Sequence, residues 1–552
     1  MTRRYWIGIC CLCFLFITSN AQDTQGFFLD DDNKPTSPKT PEGQSYNTPS
    51  EGISVVVKIF TKNSIAPVSK YIYGNNTNVY MTQMVDQDSL IERLQWLSPN
   101  ILRYPGGNLS NLFFWNAIPG ILPDDVPDSL WGGVEKSYLE EYWFGRNDSA
   151  KTLSVNNYYK MLNMVGATGI ITVNYAYARY GLSEDPVATA AHLAAEWVRY
   201  DNGRTRFWEI GNENYGPWQA GYKIDTSKNM DGQPELISGE LYGKHFKVFA
   251  DSMRKAANEV GNDIKLGAVV LEAANSWAKD PEKYWNQVFF TTAKNAADFF
   301  IVHSYYTPYD QNSDIPTILN TAEHETKRIK DFVLSECEKY NVEVKPLALS
   351  EWNIFAVGSK QQCSYINGMH AAMVLGELIK NQYGQATRWN LANAYANGND
   401  HGMFSQGDEP GVPKWNPRPV YFYMYYFQKF FGDNMVDNTV EGSEDIVVYS
   451  SVFSTGDIGI VMVNKGSEQQ IVKIGTDKSI SDSKFYFYSL TGGEDNGDFS
   501  QRVFINDNAP VRVSGGPIEK FQGIKAWTSK VEKESVKIKS PPHSVQYILI
   551  TK

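Results

Sequence analysis

Between Lys70 and Phe431, short apolar runs alternate repeatedly with longer amphipathic segments, and this pattern restricts the fold more than any other feature. Eight runs have strand character: Lys70–Tyr73, Ile101–Tyr104, Gly169–Asn174, Arg206–Gly211, Ile264–Val270, Phe299–His303, Leu347–Ser350 and Thr387–Asn390. Intervening segments such as Asn156–Val165, Ala188–Tyr200, Glu240–Val260, Ala322–Tyr340 and Ser364–Asn381 carry apolar residues three and four apart, which places them on one helix face. That order builds a parallel sheet wrapped by helices. Eight such units, with Pro419–Phe431 as the last helix, argue for an α/β fold of the closed (β/α)8 TIM barrel type over an open doubly wound sheet.

The pattern changes after the barrel. Ile446–Ser451, Ile458–Val463, Gln470–Ile474, Lys484–Ser489, Arg502–Ile505, Pro510–Val513 and Val545–Ile550 are short runs separated by Gly, Asp, Asn and Ser, as in an antiparallel β-sandwich. The β-branched stretch Ile53–Phe60 precedes the barrel and is expected to pair with these strands. The expected organisation is a signal peptide at 1–21, a disordered linker at 22–50, an N-terminal strand at 51–66, the barrel at 67–434 and the β-sandwich domain at 435–552.

At the amino terminus, Arg3-Arg4 precedes an apolar run from Tyr5 to Ile17 and then Ser19-Asn20-Ala21, the layout of a secretory signal cleaved near Ala21. The expectation is a secreted or periplasmic protein without an integral membrane span. Cys10, Cys11 and Cys13 fall in that signal, which leaves Cys337 and Cys363 as either one bridge or two buried thiols. A net charge of −11 supplies no basic stripe to displace counterions, so nucleic acid is not an expected partner. The acidic stretches at Asp30-Asp31-Asp32 and Asp231-Gly232 read as solvated linker and turn, and no metal or other cofactor is expected. Neither a Gly-x-Ser-x-Gly elbow nor a His-Glu-x-x-His motif occurs.

Polar residues gather just after the strands. Arg103 and Asn108 belong to the second strand and its exit, Asn174 ends the third, and Asn212-Glu213 follows the fourth. His303 and Tyr305 lie at the sixth, Glu351-Trp352 after the seventh, and Trp389 in the eighth. The carboxyl ends of barrel strands share one mouth, so these residues are candidates for a single site. Two carboxyls facing each other there divide the cutting of a glycosidic bond, one protonating the leaving oxygen and the other attacking the sugar carbon. Glu213 and Glu351 are the candidate pair. Arg103 near Glu351 would keep that residue ionised, while an apolar or like-charged setting is expected to hold Glu213 protonated.

Trp208-Glu209-Ile210-Gly211-Asn212-Glu213 and Ala348-Leu349-Ser350-Glu351-Trp352-Asn353 resemble the catalytic strands of the clan A retaining glycoside hydrolases. Leu102–Asn108, Pro217-Trp218-Gln219, His303–Tyr306 and Asn390-Leu391-Ala392 make the chain most similar to the family 51 α-L-arabinofuranosidases, over roughly Lys70 to Gly432. The resemblance implies Glu213 as acid/base, Glu351 as nucleophile and Asn212 as the partner of the sugar 2-hydroxyl. It also places Tyr305 on the nucleophile, Arg103 and Asn108 as polarising groups, Trp389 as the floor of the sugar subsite, and Asn174, His303 and Trp352 among the substrate-binding residues.

The chain departs from the family at the first strand, where Gly74–Tyr80 lacks the Phe-x-Glu-His element, and at Asn393, which replaces a Gln. Together with inserts at Asn116–Ser154 and Lys223–Glu240, expected to wall an extended cleft, this favours an endo-acting enzyme on a plant or algal polysaccharide or oligosaccharide. The alternatives are an exo-acting α-L-arabinofuranosidase and, in another class, a non-catalytic glycan-binding protein.

Overall fold

The computed structural model describes residues 28, 35–131, 137–138, 142–274, 282–395, 400–493 and 497–551. The expected signal segment and residues 29–34 lie outside the described residues. Eight parallel strands close into a barrel: Gly74–Asn76, Ile101–Tyr104, Thr168–Val173, Phe207–Ile210, Lys265–Val269, Phe299–Ser304, Leu347–Trp352 and Gln385–Arg388. Each is followed by a helix: Asp88–Leu97, Val155–Val165, Pro186–Asp201, Gly239–Glu259, Trp285–Ala293, Ile315–Lys339, Tyr365–Lys380 and Pro419–Phe430. Local chemistry sets several helix starts. Ser154, Asp185, Ser238, Asp314 and Ser364 each accept a backbone N–H of the first turn, and Pro sits early in the helices after Asp185 and Asp314.

The first strand is not where its apolar run lies. Lys70–Ile72 forms a 3-10 turn capped by Ser69 Oγ, and the barrel is completed by Gly74-Asn75-Asn76. Closure explains the choice: a Cβ at Gly74 would collide with the Ala386 carbonyl, so a residue without a side chain is needed where the first and eighth strands meet.

Three short two-stranded sheets aside, the other described strands form one eleven-stranded sheet around its own apolar core, which includes Val57, Val436, Ile460, Val472, Phe485, Ile538 and Ile548. It is mostly antiparallel, with two parallel pairings. Val55–Pro67 runs parallel to Gln470–Thr476 and antiparallel to Asn434–Glu441, and Gly43–Ser45 runs parallel to Ala526–Lys530. The expectation of a disordered linker therefore fails from Gly43 to Ser45, where Tyr46 anchors the chain edge-on to Phe487 at 4.8 Å. Further upstream, Thr36 N donates to Asp433 at 3.0 Å. Pro510–Val513 is a loop rather than a strand, with Val511 and Val513 exposed; Pro510 has no N–H for a ladder.

The outer face of this sheet packs on the last two barrel helices. Tyr547 OH donates to the Tyr423 carbonyl at 2.8 Å, and the Tyr426 and Tyr547 rings stack at 5.7 Å. Covered on both faces, Ile458–Asn464 is buried at every position. Cys337 and Cys363 are buried free thiols. Among the described residues, no helix is long and apolar enough to cross a membrane.

Candidate active site

Arg103, the penultimate residue of the second barrel strand, is fully buried and organises the mouth. Its Nε donates to Glu209 at 2.6 Å, Nη1 to Glu351 at 2.8 Å and to Asn76 at 3.1 Å, and Nη2 to Asn212 at 2.9 Å. Burial pulls the guanidinium down, but Glu209 and Glu351 carry it above its ordinary value. A planar five-donor fork is what allows one side chain to orient four acceptors. Asn76 is itself aimed by the carbonyls of Ser350 and Thr387, at 2.8 and 3.0 Å.

Glu213 stands just past the fourth strand with φ +45°, an uncommon backbone state for a non-glycine residue. Gly211 (φ +88°) makes the turn possible, because a Cβ there would collide with Asn214 Oδ1. One Glu213 oxygen meets His303 Nδ1 at 2.9 Å, and the other accepts from Trp218 Nε1 at 2.8 Å and Gln219 Nε2 at 3.0 Å. Opposite it, Glu351 receives Arg103 on one oxygen and the Tyr305 hydroxyl, at 3.0 Å, on the other. An oxygen of each carboxyl and a nitrogen of His303 lie within 4.8 Å of one another.

The electrostatics reverse the expectation for Glu213. Burial pushes its carboxyl up, but His303, with Trp218 and Gln219, holds it below the usual value. Burial pulls His303 down, yet Glu351 and Glu213 carry the imidazole above 6.5. Both directions favour negative charge on Glu213 and positive charge on the imidazole 2.9 Å away. The three groups are near enough to ligate a cation. Their donors from Arg103, Tyr305, Trp218 and Gln219 already occupy the carboxylate oxygens, which suits a carboxylate pair held for proton and sugar chemistry.

A cleft of about 990 Å³ opens over the pair. Glu213, Glu351, His303, Tyr305, Trp389 and Asn108 line it. Trp389 is half-buried, and Gly107 lets the chain pass close to its ring, since a Cβ there would collide with the indole. Asn108 is exposed at the rim and does not touch the carboxylates.

Two expected binding residues sit elsewhere, and a third, Asn212, is set below the cleft floor. Trp352 is 1% exposed and lies in the barrel wall: successive strand residues point to opposite faces, so a Glu351 that enters the mouth turns Trp352 away from it. Asn174 is consumed locally, accepting from Tyr177 N at 3.1 Å and donating to the Tyr180 hydroxyl at 3.0 Å. Asn212 lies beneath the cleft, where Arg103 holds its oxygen and its Nδ2 has no protein partner.

Other residues emerge only in three dimensions. Asn111 donates to the Asn212 carbonyl at 3.1 Å and to Gln219 Oε1 at 2.7 Å, fixing both groups from a buried 3-10 turn. Among the described residues, none from 116–154 or 223–240 lines the cleft; Trp131 and Lys223 instead line a separate pocket of about 160 Å³. The walls come from Leu271–Ala273, Glu282 and the segment Ser304–Asp310.

An "Alpha-L-arabinofuranosidase 1 domain" family model matches residues 93–314. An intracellular exo-α-(1→5)-L-arabinofuranosidase of Streptomyces lividans is 23% identical over 290 residues, covering 50% of this chain and 38% of that protein. A probable α-L-arabinofuranosidase C of Aspergillus clavatus is 25% identical over 288 residues, covering 49% of this chain and 52% of that one. The chain thus spans about half or less of the length of these curated relatives.

Solved structures match over more of the chain. The family 51 α-L-arabinofuranosidase of Thermotoga petrophila superposes with a TM-score of 0.63 at 18% identity, covering 90% of this chain and 100% of that one. A family 44 xyloglucanase of Paenibacillus polymyxa gives 0.56 at 12% identity, covering 91% and 100%. The chain is similar in sequence over part of its length to α-L-arabinofuranosidases and shares the fold of the family 51 enzymes.

Proposed function

We propose that the protein is a retaining glycoside hydrolase of the arabinofuranosidase kind, in which Glu351 attacks the anomeric carbon and Glu213 acts as acid and then base. One observation carries this reading: two carboxyls whose oxygens approach within 4.8 Å across a sugar-sized gap, each with a different set of donors. Retaining enzymes place the pair about 5–5.5 Å apart, whereas inverting ones leave room for a water at about 6.5–9.5 Å. Arg103 and Tyr305 keep Glu351 ionised and aligned. The unpartnered Asn212 Nδ2 is a donor for a substrate hydroxyl. The barrel (67–434) carries the chemistry, the C-terminal domain (435–552) buttresses it, and the amino-terminal leader directs the chain to a secreted or periplasmic location.

An open cleft of about 990 Å³ exceeds one sugar, which supports internal cleavage of a polysaccharide. The activity named for the relatives supports a second reading, removal of terminal arabinofuranose. Sizing the products from a panel of plant and algal glycans separates them. Internal cleavage yields oligosaccharides, terminal cleavage yields monosaccharide only, and no release above a Glu351→Ala control would leave a glycan-binding protein.

In this mechanism the proton needed by the leaving group passes through Glu213 with His303 Nδ1 beside it at 2.9 Å, and the two carboxyls carry that imidazole above its ordinary value. His303→Gln leaves that proton to the carboxyl alone. The alkaline limb of the kcat/KM profile is then expected to move to lower pH, by about one unit or more, with a fall in kcat. A limb that stays in place assigns the ionisation to another group.

A further inference from the structure

We propose that Glu272 and Glu282, on the wall that follows the fifth barrel strand, form a hydrogen-bonding ledge that recognises the hydroxyls of a neutral sugar chain beyond the cleaved bond and rejects uronate-bearing glycans. The inference rests on the glycoside hydrolase reading of the same cleft and names its substrate class.

Both residues line the cleft shared with Glu213. Glu282 is 6% exposed; its Oε1 accepts the Tyr222 hydroxyl at 2.9 Å, while its Oε2 has no protein partner. Glu272 Oε2 is likewise unpartnered and screened from solvent. A buried carboxylate oxygen without a donor is costly, and the cost is removed by a ligand that brings O–H groups. Sugar hydroxyls do this; a uronate brings hydroxyls as well, but with them a carboxylate that an acidic ledge repels.

The charge around the ledge has the same sign. The cation lining this side is Arg328, already engaged with Glu325 at 2.6 Å, while Asp310 adds a further carboxylate to the lining. Across from it, Tyr309 is 63% exposed and is backed by the Phe355 ring at 5.0 Å, a flat face suited to stacking on a neutral pyranose or furanose. Burial, reinforced by Glu213 and opposed by Arg328, pushes Glu272 up to about 7, so near neutral pH it both donates and accepts.

The test is affinity electrophoresis of the Glu351→Ala protein through gels containing arabinan, arabinoxylan or xyloglucan, compared with polygalacturonate or alginate. At least one neutral gel is expected to retard the protein and neither polyuronate gel to do so. Adding Glu272→Gln and Glu282→Gln is expected to weaken retardation in the neutral gel at least tenfold. In the otherwise wild-type chain, the same two changes should lower kcat/KM for a neutral oligosaccharide at least tenfold more than for an aryl glycoside, chiefly through KM. Retardation by polyuronates, or an equal loss on both substrates, overturns the ledge. Because the binding arm needs no turnover, an inactive wild-type protein that still shows it would refute the hydrolase reading while leaving the ledge standing.

Discussion

Glu351→Gln lowers kcat on any substrate the protein cleaves by about 10⁴-fold or more, because no glycosyl–enzyme bond forms without the attacking carboxylate. The substitution is nearly isosteric: its amide oxygen still accepts from Arg103 and its NH2 faces the Tyr305 oxygen, which can turn to accept, so folding is expected to survive it. Glu213→Gln behaves differently. Acid–base assistance contributes about 10²–10⁴-fold, and its loss falls on both steps with a natural leaving group. With a nitrophenyl leaving group, which departs without a proton, only the second step suffers. Stopped-flow release of nitrophenol should then show a burst followed by slow turnover. Equal losses from both variants on both substrates would assign the two residues a common, structural role.

Arg103→Leu is expected to be the most damaging single change to stability. It strands the Glu209 and Glu351 carboxylates, both paired to the guanidinium and almost wholly buried. Removing one partner from buried pairs costs about 3–5 kcal/mol, read as a lowered thermal midpoint. It also releases Asn212 and Asn76 from their shared fork, so activity falls with it. The two effects separate in the double variant Arg103→Leu/Glu209→Gln. Relieving one stranded charge should recover part of the midpoint and none of the activity. Recovery of both would mean that Arg103 matters only as a counter-charge in the wall.

The barrel was legible because six of its strands, the second to the seventh, are mostly apolar runs, and its helices keep a regular apolar spacing over many turns. Gly74-Asn75-Asn76 carries no such signal; closure places it in the sheet by pairing it with strands on both sides. The tether was misread for a related reason, since three residues, Gly43–Ser45, gain a place in the sheet only through a partner nearly 500 residues away. Asn434–Glu441 reads as polar and charged because one of its faces is exposed.

Within the site, position at strand ends was enough to bring Arg103, Glu213, His303, Tyr305, Glu351 and Trp389 together. It overreached at Trp352, where alternation along the strand should have been applied, and at Asn174, whose amide caps the turn that follows. Asn111, Glu272 and Glu282 lie on loops with no periodic signal. Their roles appear only through the bonds they make, or leave unmade, across the mouth. The direction of the Glu213 shift was misjudged because His303, 90 residues away in sequence, lies 2.9 Å from it in space and lowers it.

The most direct test of the account is the anomeric configuration of the first-formed product, followed by proton NMR before mutarotation. Attack by Glu351 followed by water entering from the same face predicts a product with the configuration of the substrate. A product that appears first as the opposite anomer would contradict the double displacement and, with it, the roles given to Glu213 and Glu351.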